Sequence, residues 1–341
     1  MIDLLVVGGG PAGLVTALHA VAAGLSVQVV EPRLVPVDKA CGEGLMPAAV
    51  AGLRALGVDV EGHEFTGIRY VDESHEAVAR FRSGPGLGVR RTRLSAVLHA
   101  RAASAGIDVI DRAVDKIAQD DRSVTAGGIT ARYLAAADGL HSPIRRQLGL
   151  DRPSRRRPRY GLRAHYGIPP WGDEVEVHWS PAGEAYVTPV GPDLVGVAML
   201  STKRRTYRDH LTAFPALCER LGHAAPQTAV RGAGPMRQRA SARVAGRVLL
   251  VGDAAGYVDA ITGEGIALAI KEAAALVRCV VDGRLDPYEP AWRQATRSYR
   301  MITEGLLVAR GPLHLGRAIV PAAQRLPRLF ETLVDVLANP R

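Results

Sequence analysis

The opening forty residues constrain this chain more than any other stretch. A short apolar run, Leu4-Leu5-Val6-Val7, leads into Gly8-Gly9-Gly10-Pro11-Ala12-Gly13. Residues 14–23 follow, rich in Ala, Leu and Val and well suited to a helix. Gly24 ends that helix, and Ser26–Val30 reads as a second strand. The pattern is strand, turn, helix, strand in about thirty residues, with Gly-x-Gly-x-x-Gly at the turn. Gly8 permits the tight turn, Gly10 lets backbone approach a pyrophosphate, and Gly13 lets helix and strand pack closely. Pro11 and Ala12 open the helix, whose free N–H groups face an anion. Glu31 closes the second strand, where a carboxylate can accept from ribose hydroxyls. A bound dinucleotide follows from the three features together.

Composition narrows the class. The chain has 341 residues, 47% hydrophobic and 23% charged, enough for a large core without disulfide staples. The three cysteines, Cys41, Cys218 and Cys279, form no C-x-x-C pair, which suits a reducing cytosol. Met1-Ile2-Asp3 lacks a basic signal-peptide start, and no apolar run reaches transmembrane length, so a cytoplasmic protein is expected. The formal charge is +9, and only four of the 43 basic residues are lysine. The arginines at 152, 155, 156, 157 and 159 read as a solvated face. No nucleic-acid motif accompanies them, so no nucleic-acid partner is expected. Scattered histidines without zinc spacing predict no metal site.

Further along, residues 67–71 and 77–81 read as a hairpin, 91–105 as a helix, and 107–110 as a strand. Residues 129–137 lead to Asp138-Gly139. Between about 153 and 235, Pro- and Gly-separated runs predict antiparallel strands at 174–179, 185–190 and 194–200. Arg247–Val251 returns as a buried strand ending at Gly252-Asp253, and the remainder is helical. This predicts an α/β fold with a cofactor domain from residues 1–65, 88–152 and 236–290. The inserted substrate domain takes 66–87 and 153–235, and C-terminal helices take 291–341.

The order Gly8-x-Gly10-x-x-Gly13, Ala137-Asp138-Gly139 and Val251-Gly252-Asp253 resembles the FAD-dependent aromatic hydroxylase superfamily, of para-hydroxybenzoate hydroxylase type. The resemblance spans almost the whole chain. It implies a Rossmann-like FAD-binding domain, an inserted antiparallel sheet and a helical tail. It places Arg33 near the adenosine, Arg91 over the pyrophosphate, Asp138 near the pyrophosphate, and Gly252 and Asp253 at the ribityl chain. Gly263, Gly265 and Ile266 would border the ring, and Val114 joins the cofactor set. Within the superfamily, Asp38-Lys39-Ala40-Cys41-Gly42-Glu43-Gly44 looks like the geranylgeranyl reductase-related branch, where Cys41, Gly42 and Gly44 would lie against the flavin. Cys41 is either a thiol at the substrate or a small buried residue.

Two departures shape the functional expectation. The reductases' Tyr-x-Trp-x-Phe-Pro reads here Glu184-Ala185-Tyr186-Val187-Thr188-Pro189, with most of its apolar bulk gone. The halogenases' catalytic lysine has no counterpart in residues 41–110, which disfavours that activity. The leading expectation is a monooxygenase, with NAD(P)H as transient electron donor and O2 as co-substrate, acting on a lipophilic aromatic, quinone or polyketide-like molecule. The alternatives are a geranylgeranyl reductase-like enzyme acting on C=C bonds, and a non-catalytic flavin-binding protein. Glu43, Cys41 and Tyr186 are the catalytic candidates, with His178 a further candidate base. NAD(P)H is expected in a surface groove near Asp138-Gly139, Arg145 and Arg146. The amphipathic tail from residue 305, Leu313 included, is expected to pack on the cofactor domain, with peripheral membrane contact as the sharper reading. A monomer or homodimer fits.

Overall fold

Three parallel strands, far apart in sequence, lie side by side at the centre of the molecule. They are Ile2–Val7, Ile129–Ala136 and Val248–Leu250, and their pairing puts Val7 opposite Ala136 and Ala136 opposite Leu250. In this computed structural model, which describes residues 1–311 and 315–339, Val27–Val30 and Asp108–Ile110 extend the parallel set on the other side. Antiparallel strands Val124–Ala126 and Ile117–Gln119 branch from Ile129–Ala136. Alternation along the first strand sends Leu4 and Val6 into one core and Leu5 and Val7 into another. The first core is closed by helices Pro11–Ala22, Arg91–Ser104 and Gly265–Val281, through Leu14, Leu98 and Leu276 among others.

A second sheet of seven strands lies apart from the first. Its order is Arg231–Ala233, Tyr160–Tyr166, Leu194–Ser201, Gly183–Gly191, Glu174–Ser180, Gly67–Val71 and Glu76–Arg80. The sheet is not purely antiparallel: Gly67–Val71 joins Glu174–Ser180 in parallel. The reason is topological, since residues 67–80 arrive from the other sheet as a ready-made hairpin and dock by one edge. A small third sheet, Gly44–Leu45, Gly86–Gly88 and His63–Phe65, links the two.

The tail does not pack where its amphipathic pattern suggested. Tyr288–Arg310 packs on Gly265–Val281, but Ile319–Arg325 and Pro327–Ala338 cross to the second sheet. Phe330 and Val334 fill the space above Ala77 and Ala79, and the Phe330 ring lies 4.6 Å from that of Tyr70. The small alanines on Glu76–Arg80 make that shallow groove. Leu313 lies outside the described residues. Among the described residues, no helix is long and apolar enough to cross a membrane.

Candidate cofactor and substrate site

Because the three central strands are in register, their carboxyl ends deliver Gly8, Asp138 and Gly252 to one edge. Ligands of open parallel sheets bind at that edge. Gly8 adopts φ +111°, and a Cβ there would sit 2.4 Å from the Ala137 carbonyl oxygen. A Cβ on Gly13 would sit 1.8 Å from the Gly8 carbonyl oxygen. At Gly10 the space is open, the nearest atom to such a Cβ being Arg91 Nη2 at 3.9 Å. The helix from Pro11 has no side-chain cap, and the buried Arg91 Nε has no partner. Unfilled donors around an open glycine suit a pyrophosphate.

Glu31 is buried and accepts from the Gly9 amide at 2.8 Å, while Arg33 grips both of its oxygens at 2.6–2.7 Å. Burial alone would raise its pKa, but the hydrogen bonds and charge of Arg33 outweigh this and hold it below the usual range. Asp253 faces Lys39 Nζ at 3.4 Å, and the Gly252 amide donates to Glu272 at 2.7 Å. Val114 joins the apolar cluster of Leu5, Val30 and Ile144, beside the Gly127 turn. Ile266 packs at the margin of the first core, at the start of the helix that Gly265 opens, and Gly263 precedes it with open space around its α-carbon.

Arg145 is not a surface residue. It is buried and donates to Asp151 at 2.7 Å, to the Ala254 and Leu140 carbonyls at 3.1 Å, and to Gln238 at 2.8 Å. It is a strut joining the Asp-Gly loop to the Gly-Asp loop, unavailable to a docking nucleotide. Arg146 is exposed. Asp138 accepts from the Ile144 amide at 3.1 Å, and its buried Oδ1 has no partner. Burial raises its pKa.

The Cys41–Gly44 loop lies between the two sheets. Gly42 offers its carbonyl to Thr188 at 2.7 Å, and Cys41 is half-buried. Glu43 is the one non-glycine residue with positive φ, +62°, among the described residues. Its Oε1 accepts from the Arg91 amide at 2.8 Å, and its Oε2 meets His165 Nε2 at 2.6 Å. His165 in turn meets Thr228 at 2.9 Å. Fully engaged and buried, Glu43 anchors the loop and is not a free base. No sequence signal marks His165, which reaches Glu43 across 122 positions only through folding.

Tyr186 is also not a base. Its hydroxyl donates to the Ile261 carbonyl at 3.0 Å, and burial pushes the phenol well above its ordinary pKa. His178 is buried and tied to Glu176 at 3.1 Å. Two residues before Tyr186 stands Glu184, fully buried, held by Arg159 at 2.6 Å and Arg310 at 2.5 Å. Arg159 also reaches Asp259 at 3.0 Å. Arg159 therefore leaves the solvated arginine run and ties the second sheet to the loop after the Gly-Asp motif. Arg155, Arg156 and Arg157 are exposed.

Glu264 caps nothing. It is 1% exposed, both oxygens lack partners, and burial pushes its pKa up to about 9. The native state therefore binds a proton that the unfolded state loses above about pH 4.5, so this group lowers stability as pH rises toward 9. Glu264→Gln should flatten the fall in Tm between pH 5 and 9 and raise Tm most at the alkaline end. An unchanged slope in thermal melts would contradict the buried, protonated carboxyl.

A family model described as an FAD binding domain matches residues 1–282. A menaquinone reductase of Mycolicibacterium smegmatis is 29% identical over 382 residues, covering 99% of this chain and 91% of that protein. A menaquinone reductase of Mycobacterium tuberculosis is 31% identical, covering 77% and 72%. A digeranylgeranylglycerophospholipid reductase of Methanothermobacter thermautotrophicus is 27% identical, covering 79% and 74%. Among solved structures, a flavin-dependent brominase superposes with TM-score 0.85 at 18% identity, covering 99% of this chain and 93% of its own. A flavoprotein/dehydrogenase from Cytophaga hutchinsonii superposes with TM-score 0.80 at 22% identity, covering 99% and 98%. The chain belongs to the FAD binding domain family, in the FAD-dependent monooxygenase superfamily and on its geranylgeranyl reductase-related branch, and is an FAD-dependent oxidoreductase.

Proposed function

We propose that the chain is an FAD-dependent reductase that adds two hydrogens to a C=C bond of a lipophilic isoprenoid or quinone substrate, with NAD(P)H as electron source. The match to menaquinone reductases over most of both chains carries this reading. FAD, when bound, supplies hydride transfer to and from its ring. The chain's own residues bind and orient it. The Gly10–Ala12 turn and Arg91 would hold the pyrophosphate, Glu31 beside Arg33 would hold a ribose, and Asp253 would hold the ribityl chain. The Cys41–Gly44 loop, pinned by Glu43 and Thr188, forms a fixed wall between the two sheets.

A monooxygenase is the second reading, favoured by one observation. The reductases' Tyr-x-Trp-x-Phe-Pro reads Glu184-Ala185-Tyr186-Val187-Thr188-Pro189 here, and the loss of its apolar bulk weakens a polyprenyl-saturating role. Product mass separates the two. Anaerobic turnover with NADPH and a menaquinone, giving a product still two mass units heavier after the quinone ring is re-oxidised in air, supports the reductase. Turnover only in O2, with one oxygen gained, replaces it by the second reading.

Cofactor placement has its own test. Charge-assisted hydrogen bonds are worth about 1.5–3 kcal/mol, so Glu31→Ala should weaken FAD retention by roughly ten- to a hundredfold. Asp253→Ala should weaken it more, by disturbing the ring end. Equal flavin absorbance in both variants and the wild type after dialysis would overturn this placement.

A further inference from the structure

The turn Gly252–Gly256 has two faces. A Cβ on Gly252 would meet Ala12 at 2.6 Å, on the side of the glycine-rich motif. A Cβ on Gly256 would point the other way, toward Arg243 Nη2 at 3.6 Å. On that second side is a cavity of about 260 Å³, walled by Arg237, Arg239, Arg243, Trp292 and Arg300 and backed by Gly252, Asp253 and Gly265 of the cofactor turn. Arg293 also borders it.

These guanidiniums outnumber their carboxylates. Glu289 serves both Arg243 and Arg293, and Glu304 serves both Arg237 and Arg156. Arg239 and Arg300 have no carboxylate within 4 Å among the described residues, and one nitrogen of Arg237, Nη1, is buried without a partner. Glu272 also lines the cavity; it accepts from the Gly252 amide at 2.7 Å, and burial raises its pKa to about 8. Trp292 is 3% exposed, its Nε1 has no hydrogen-bond partner, and it lies between Arg243 at 3.6 Å and Arg300 at 5.3 Å from its ring centre. Desolvation of Arg243 lowers its pKa. Like charges held this close call for a polyvalent anion, and guanidinium forks match phosphate oxygens.

We propose that this cavity binds a phosphate-bearing small molecule, on the face of the Gly252–Gly256 turn opposite the glycine-rich motif. The ligand would neutralise Arg239 and Arg300 at the mouth and take hydrogen bonds from Arg237 inside. The site is distinct from the groove first expected at Asp138-Gly139, and it stands whichever reaction the enzyme performs.

The test is calorimetric titration of the FAD-loaded protein at low salt with inorganic phosphate, 2′,5′-ADP and phosphatidylglycerol vesicles in turn, with Trp292 fluorescence as a second readout. Wild type should bind at least one of the three probes. The double variant Arg239→Gln/Arg300→Gln should bind that probe at least about tenfold more weakly with flavin absorbance unchanged, and the double Lys variant should recover most of the loss. Both arginines are exposed, so these substitutions should change folding stability little. Tighter binding of 2′,5′-ADP than of phosphate identifies a nucleotide, while arginine-dependent vesicle binding identifies a lipid headgroup. Equal affinity in wild type and the Gln variant, or no binding of any probe at millimolar concentration, overturns the proposal. Failure of the FAD assignment would appear separately, as protein without flavin absorbance.

Discussion

Glu184→Ala should cost about 3–5 kcal/mol of folding stability, the usual penalty for removing one partner of a buried ion cluster. Glu184 is fully buried and is the shared acceptor of Arg159 and Arg310. Its loss leaves two guanidiniums in the interior with Asp259 alone to balance them. Urea denaturation would read this as a lower midpoint with little change in slope. A second substitution, Arg310→Met in the Glu184→Ala background, should restore part of the loss by removing one stranded charge. A single-variant cost under about 1 kcal/mol would mean that the cluster is hydrated and weakly coupled.

Gly13→Val should abolish FAD retention. Even a single Cβ at this position would lie 1.8 Å from the Gly8 carbonyl oxygen, and a backbone oxygen cannot swing aside as a side chain can. The helix must therefore withdraw from the strand end, carrying its free N–H groups away from the pyrophosphate. Overpacking in a close-packed interior typically costs about 1–3 kcal/mol, so the fold should survive in part while the flavin is lost. Purified variant protein should be colourless, with far-ultraviolet circular dichroism close to wild type. A yellow variant with wild-type flavin content would contradict the packing at Gly8.

How much of this was legible beforehand depends on distance along the chain. The glycine turn, Glu31 and the three strand ends are local patterns, and the hairpin at 67–80 follows from alternation alone. The register that aligns Val7, Ala136 and Leu250 joins segments more than a hundred residues apart, yet each segment announces its own strand end. The charged interior was hidden. Arg159 sits in an arginine-rich run that reads as solvated, and Arg145 follows a loop motif that reads as a surface groove. Neither reading includes the partner that decides the matter: Glu184 for Arg159, and the Ala254 and Leu140 carbonyls with Asp151 for Arg145. His165 was missed for the same reason. The tail was misplaced because amphipathicity tells a helix which side to bury, not which surface will receive it. The receiving groove is made by Ala77 and Ala79, two small residues that attract no notice in a list of apolar positions.

The alignment of the three central strands bears on when the protein can acquire its cofactor during synthesis. Two of the strand ends are available once the ribosome has passed residue 138. The third, with Gly252 and Asp253, emerges more than a hundred residues later, after the whole second sheet has been made. Until then the nascent chain has only part of the cradle, and the carbonyls that receive Arg145 at Ala254 do not yet exist. The three-strand edge is therefore complete only after Val248–Leu250 has been made. A ribosome stalled just short of that strand would display a nucleotide site that still lacks Gly252 and Asp253.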